Sequence, residues 1–351
     1  MLNKAINGIR SAEKKSVFSN VPFKQRAFVF ILLSLIFCFV AEITRAHKSP
    51  VKQDLFSVCF PTEDQGWACG RWGTVLHTED GGQSWVRQAS GTDYTLMAIR
   101  FTDLQKGWAV GDGGTIIHTE DGGKNWVKQK CPVDYYLMGL CFVDDQKGWA
   151  VTEWTTILYT EDGGQNWQVQ FSEADYILKR VSFCDPLNGW VAGEYGYIYH
   201  TSDGGQTWEH QAGYFGLSDK IFELVGENTL FDIFAIDPMT AWAVGIDGYV
   251  TKTIDGGKTW QKVEGNFPAT QLFGVISDRQ GDIVICGNRS LYTSSDGGMG
   301  FTAAKCEPPI IYGWLYGLAQ RGQKGFVAVG KEGWIYLGDA KAGVWKRTKV
   351  D

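Results

Sequence analysis

Residues 96–128 read LMAIRFTDLQKGWAVGDGGTIIHTEDGGKNWVK, and their reading decides the fold. Short apolar-rich runs, LMAIRF, GWAVG, TIIHT and NWVKQ, are parted by TDLQK, DGG and EDGGK. Runs of this length with period-two character and Gly or Asp between them cannot hold a useful helix; they describe four strands joined by tight turns. The string then recurs. DGGQSW, DGGKNW, DGGQNW, DGGQTW, DGGKTW and DGGMGF begin at Asp80, Asp121, Asp162, Asp203, Asp255 and Asp296, with spacings of 41, 41, 41, 52 and 41. Gly66-Trp67, Gly107-Trp108, Gly148-Trp149, Gly189-Trp190 and Ala241-Trp242 keep step, and a degenerate seventh unit ends in DAKAGVW, Asp339 to Trp345. A four-stranded unit has two apolar faces that it cannot bury alone, so copies must stack. Stacked radially, seven units over residues 54–351 make an all-β, seven-bladed β-propeller with repeats of about 41 residues and four antiparallel strands per blade. The rival, an open β-solenoid, does not suit hairpin-linked strands in so long a unit.

Composition agrees: 44 glycines and 15 tryptophans against 9 prolines describe many turns and many flat side chains, neither a disordered nor a long-helix profile. Residues 1–46 hold 7 basic and 2 acidic residues, while 47–351 hold 26 basic and 37 acidic. So acidic a body repels phosphate backbones, which argues against nucleic acid as a partner. Residues 27–41, AFVFILLSLIFCFVA, are uncharged and follow Lys24 and Arg26. As a helix they span ~22 Å, less than a ~30 Å hydrocarbon core, and are read as an export signal, cleaved or kept as an anchor. The expected localisation is therefore beyond a membrane, in a periplasm or thylakoid lumen. Seven cysteines follow Cys38 with no CxxC spacing, which disfavours a Cys-rich zinc or iron-sulfur site; Cys59 and Cys69 flank a hairpin and either pair or stay as buried thiols.

The DGG turn has its own chemistry. Gly81 and Gly82 supply positive-φ positions, and the Asp80 carboxylate accepts hydrogen bonds from the turn's amides. Trp85, and equally Trp126, is expected to cover its turn and pack toward the adjacent blade, burying ~150–250 Å². Calcium ligation by the six aspartates fails on geometry, because each blade brings one carboxylate where Ca²⁺ takes about six oxygens or more. His77, His118 and His200 likewise fall one per blade, too far apart for a shared zinc ion.

TEDGGQSW, Thr78 to Trp85, resembles the Asp-box of sialidases and other propellers. Joined to GWAVG and TIIHT, the repeat is similar to that of the photosystem II assembly and stability factor family, whose members are seven-bladed lumenal or periplasmic propellers. The resemblance covers residues 54–351. It implies structural roles for Asp80, Asp121, Asp162, Asp203, Asp255 and Asp296, with Trp85, Trp126, Trp167, Trp208 and Trp260 as box aromatics and Phe301 in the sixth. It also implies an exported, non-catalytic scaffold or assembly factor for a membrane or envelope protein complex, without cofactor or metal. Blade three departs with TEWTTI, and an 11-residue insertion falls near 212–230.

Because Asp-box propellers include glycosidases, a sialidase-like or related hydrolase and a carbohydrate-binding module are the alternatives. A sialidase-like site needs clustered arginines and a Tyr/Glu pair, and no such pair stands out in the sequence. Glu153, Glu194, Asp247 and Glu332 fall in second-to-third-strand turns, where a charged rim is the plain explanation. Tyr94, Tyr135 and Tyr176, spaced by 41, precede the innermost strands, on the face shared with those turns. The candidate partner-binding residues are therefore Arg71, Tyr94, Asp112, Tyr135, Glu153, Tyr176 and Glu194; no catalytic residue is assigned.

Overall fold

The structure, a computed structural model, describes residues 51–173, 176–217 and 224–348. Residues 27–41, read above as the export segment, lie outside them. Among the described residues no helix is long and apolar enough to cross a membrane. Seven antiparallel four-stranded meanders follow one another along the chain. Blade 2 is typical, with strands Leu96–Phe101, Gly107–Gly111, Thr115–Thr119 and Val127–Lys128 paired in sequence order. The first strands of all seven blades line the axis. Second strands are wholly buried in every blade where they carry the GWAVG-type string.

The repeat's residues are explained by the contacts between blades. Trp108 is fully buried, stacks on Phe142 of the next blade at 3.9 Å, and donates its indole N–H to the Gly163 carbonyl there, at 2.9 Å. Trp67 does the same to Phe101 and the Gly122 carbonyl. Trp149 stacks on Phe183 at 3.7 Å but reaches its neighbour through Gln170, whose amide donates to the Gly204 carbonyl. Trp190 and Gln211 repeat that relay onto Gly256. Gly107 is required beneath this stack, since a Cβ there would stand 2.4 Å from the Phe101 ring. His77, His118 and His200 each lie against the tryptophan of their own blade, at 4.3–4.7 Å.

The Asp-box turns hold the accepting carbonyls in place. In blade 2 the Thr119 hydroxyl donates to Asp121 Oδ1 and accepts from Gly123 N–H, while Asn125 donates through its backbone to Oδ1 and through its side chain to Oδ2, all within 2.7–2.9 Å. Gly123, at φ +81°, faces Gln88 of the preceding blade. The network recurs at Asp80, Asp162, Asp203 and Asp255. Asp296 keeps only backbone donors in place of the fourth-position side chain, and Asp339 makes a shorter turn with Lys341 and Ala342. The box aromatics need a correction: Trp85 and Trp167, whose indole N–H groups donate to Gly82 O and Gln129, are buried, whereas Trp126 and Trp208, whose N–H groups find no acceptor, and Trp260 are half-buried. The fully sequestered indoles are those of Trp67, Trp108, Trp149 and Trp190 in the GW strings, together with Trp85 and Trp345.

The ring closes without strand exchange, since blade 1 and the four meander strands of blade 7 are each built from one contiguous segment. In place of a Trp-Gln relay, buried Arg321 donates to the Gly81 carbonyl at 2.7 Å and to Lys324 O at 2.7 Å. Glu63 accepts from Gln323 N–H, Lys324 pairs with Asp64, and Asp54 accepts from Glu332 N–H. Blade 7 gains a fifth strand, Lys305–Glu307, parallel to Val344–Arg347. The insertion before blade 5 carries a hairpin, Phe215–Leu217 with Leu224–Gly226. Cys59 and Cys69 are separate buried thiols on adjacent strands.

Two predictions follow from this packing. Trp108→Ala leaves a large void and orphans the Gly163 carbonyl, so it should cost ~3–5 kcal/mol, whereas half-buried Trp126→Ala should cost less and Glu153→Ala ~1 kcal/mol for one lost hydrogen bond. Urea midpoints for the three variants check the order. The second concerns acid. Asn125 hydrogen bonds lower Asp121 to about 2, and Thr259 hydrogen bonds lower Asp255 to about 2, from 3.8 unfolded. Groups with a depressed folded pKa bind fewer protons when folded, so their stabilisation is complete above ~4 and disappears as pH falls toward ~2. Burial lowers His77, His118 and His200, adding an earlier decline below 6.5. The unfolding midpoint should therefore fall in two stages, and Asp121→Asn with Asp255→Asn should flatten only the lower one.

Candidate binding face and axial cavity

Second-to-third-strand turns and blade-to-blade connections meet on one face, as hydrogen bonds show directly. Gly73 N–H donates to Tyr94 O, Gly114 N–H to Tyr135 O, and Thr155 N–H to Tyr176 O, at 2.8–3.0 Å. Each turn places a residue in the left-handed region: Trp72, Gly113, Thr155, Tyr195, Asp247, Arg289 and Glu332. Six of the seven are not glycine, and a non-Gly residue held there is strained unless its surroundings over-determine it. Blade 3 solves the missing G-x-G differently, with Thr155 Oγ1 donating to Tyr176 O and accepting from Tyr176 N–H.

The candidate residues have separate fates on this face. Tyr94 is 52% exposed and Trp72 beside it 64%; they border a cleft between blades 1 and 2 with Asp112 in its wall. Tyr135 is half-buried, 6.2 Å from exposed Trp154. Arg71 is exposed and ion-paired to Asp54 at 2.9 Å. Glu153 accepts from Tyr136 N–H at 3.0 Å, and Glu194 accepts from Ile177 N–H at 3.2 Å and pairs with Lys179. These two carboxylates brace the incoming connections. Tyr176 is a correction: at 9% exposure it offers no surface, because it stacks on Tyr197 at 3.9 Å and its hydroxyl bonds that of Tyr199. The sequence register placed Tyr176 with Tyr94 and Tyr135 but could not show that aromatic residues of blade 4 would cover it.

Sequence reasoning named Tyr94 as a candidate but not the other exposed aromatics. Among the described residues Trp72, Tyr94, Trp154, Tyr214, Phe215 and Tyr312 are the exposed Trp, Tyr and Phe side chains, and all lie on this face. Their signal was present in the turn residues Arg71-Trp72 and Glu153-Trp154, which interrupt a Gly-rich pattern with indoles. The large exposed side chains of the opposite face, Leu187, Met239, Ile254 and Met299, are aliphatic.

Near the axis, Phe56, Phe231, Phe273, Trp314 and Tyr316 pack ring against ring at the aromatic end. Beyond them, toward the Asp-box face, is a cavity of about 470 Å³ with Arg100, Arg180 and Arg279 in its wall. Arg180 donates to Asp232 at 2.8 Å, and Asp232 also accepts from Val275 N–H. Arg279 lies over Phe234 and donates to Ala235 O.

A Tyr/Glu pair is also present: the Tyr199 hydroxyl donates to Glu173 at 2.8 Å. Burial first, then the bonds to Tyr176 and Glu173, push Tyr199 far above the usual phenol value, the wrong direction for a nucleophile. Neither residue lines the arginine-bearing cavity. Among the described residues no group of three or more His, Cys, Asp or Glu could hold a metal ion.

Comparison with known proteins places these features. The YCF48 bound to a D1 peptide is 18% identical with a TM-score of 0.66, covering 83% of this chain and 93% of that one. The YCF48 of Cyanidioschyzon merolae is 20% identical with a TM-score of 0.66, covering 82% and 96%. The GH74 xyloglucanase of Xanthomonas campestris is 13% identical with a TM-score of 0.67, and this chain spans only 55% of it, so that likeness is one of fold. A search of curated protein sequences found no match. The sequence model of the photosynthesis system II assembly factor YCF48 matches residues 41–132 and 126–220, about half the chain, and by that match the protein belongs to the YCF48 family.

Proposed function

We propose that this protein is an exported, non-catalytic assembly scaffold that docks a membrane or envelope protein complex on its aromatic face. The observation that supports it is the segregation of exposed aromatic rings to the face of variable turns, on a frame of constant turns opposite. Tyrosine and tryptophan bring large apolar area with little rotamer entropy, which suits central anchors of an interface. The D1 peptide held by a YCF48 relative makes a membrane protein the class of partner to try first. In this reading residues 27–41 carry the chain across a membrane, cleaved or retained, and the propeller works in a periplasm or thylakoid lumen.

A hydrolase reading draws on the GH74 neighbours. Against it, Glu153 and Glu194 are occupied holding backbone amides, and the Tyr199-Glu173 pair sits apart from the arginines. The test is recovery of the partner from mild-detergent membranes by the tagged protein. Trp72→Ala/Tyr94→Ala/Trp154→Ala should melt as wild type does and recover at least ~10-fold less partner, a change of ~1.4 kcal/mol. Undiminished recovery contradicts the docking face. Hydrolysis of sialosides or xyloglucan by wild type, lost in Glu153→Gln or Glu194→Gln, contradicts the scaffold.

A further inference from the structure

We propose that the axial cavity is a binding site for a small dianionic oxyanion of the phosphate or dicarboxylate class, separate from the aromatic docking face. The cavity is walled by the halves of the first strands nearest the Asp-box turns, and the aromatic residues at the other end of the axis are not in its wall. It is therefore a blind funnel that opens on the face away from the proposed partner.

Its charge is the opposite of the molecule's. Three guanidiniums, Arg100, Arg180 and Arg279, face one carboxylate, Asp232. That carboxylate is already matched by Arg180 and by the amides of Val275 and Ile233. Among the described residues, Arg100 and Arg279 have no ion-pair partner, and the only hydrogen bond from either side chain goes to the Ala235 carbonyl. Half-buried Arg100 and exposed Arg279 thus leave the funnel with two uncompensated cations in a chain of net charge −6. Walls of this kind focus the field on the space between the charges, and guanidinium forks match planar or tetrahedral oxyanions. Ser57, Ser182 and Ser277 add hydroxyls to the same wall. The cavity of about 470 Å³ has room for such an ion together with its water.

The test is calorimetric titration of the full chain with phosphate, sulfate and succinate against chloride at matched ionic strength. Saturable one-to-one binding of at least one dianion is expected; binding of phosphate and sulfate identifies the tetrahedral class, and preference for succinate the dicarboxylate class. Arg100→Gln/Arg279→Gln should weaken it at least ~10-fold, while Arg71→Gln on the other face leaves it unchanged. No saturable binding, equal binding by the double variant, or binding by an acidic peptide alone overturns the proposal. If the double variant fails to fold, selenate soaked into wild-type crystals decides: an anomalous peak within hydrogen-bond reach of Arg100 and Arg279 supports the site, and its absence there overturns it. Loss of partner recovery in the aromatic-face variant has no bearing on these outcomes, so the two readings fail separately.

Discussion

The carbonyl of the first glycine in five of the six Asp-box turns, from Gly81 to Gly256, is the point on which most of the ring's blade contacts depend. Gly122 and Gly163 receive an indole N–H and a glutamine amide from the blade before, Gly204 and Gly256 receive the amide alone, and Gly81 receives Arg321. A carbonyl can serve a neighbour in this way only if its own turn is rigid. The Asp carboxylate supplies that rigidity by accepting from the backbone and side chain four residues on, while a Thr or Ser hydroxyl ties the turn from the other side. The motif is thus local chemistry with a long-range result: each turn is fixed within its blade so that it can be grasped from outside.

Much of this was legible in the sequence because the repeat writes it many times. Strand length, turn chemistry and blade number follow from the 41-residue spacing and the GWAVG and DGG strings, and the structure has them where they were read. What was illegible breaks the period. Arg321 closes the ring from a degenerate blade, 240 residues from the carbonyl it serves. Tyr176 keeps the register of Tyr94 and Tyr135 yet is covered by Tyr197 and Tyr199, so equal position did not mean equal exposure. Arg100, Arg180 and Arg279 meet at the axis from three different registers, two on first strands and one in a turn, and no periodic search gathers them. The tryptophans also divided their work: those of the GW strings cross between blades, whereas several box tryptophans stay at the rim.

The two faces that result differ in chemistry for a structural reason. On one, most turns are occupied by the Asp-box network or by aspartates capping their own loop, leaving little freedom to vary. On the other, every turn is tied to the incoming connection by its backbone, with Glu153, Thr155 and Glu194 adding side-chain bonds, and the tips carry different residues, among them Trp72, Trp154, Tyr195 and Arg289. A surface whose frame is constant and whose tips vary suits recognition of a non-repeating partner.

The central claim is that the blades, joined by turn carbonyls from blade 7 round to blade 5 and by apolar packing through blade 6, form a single cooperative ring closed by Arg321. Native-state amide hydrogen exchange on Arg321→Gln tests it directly. If the account is right, losing this one contact lowers protection in the second strands of all seven blades by a common amount, because opening the ring anywhere exposes it everywhere. Loss confined to blades 1 and 7, with the other five unchanged, would contradict it.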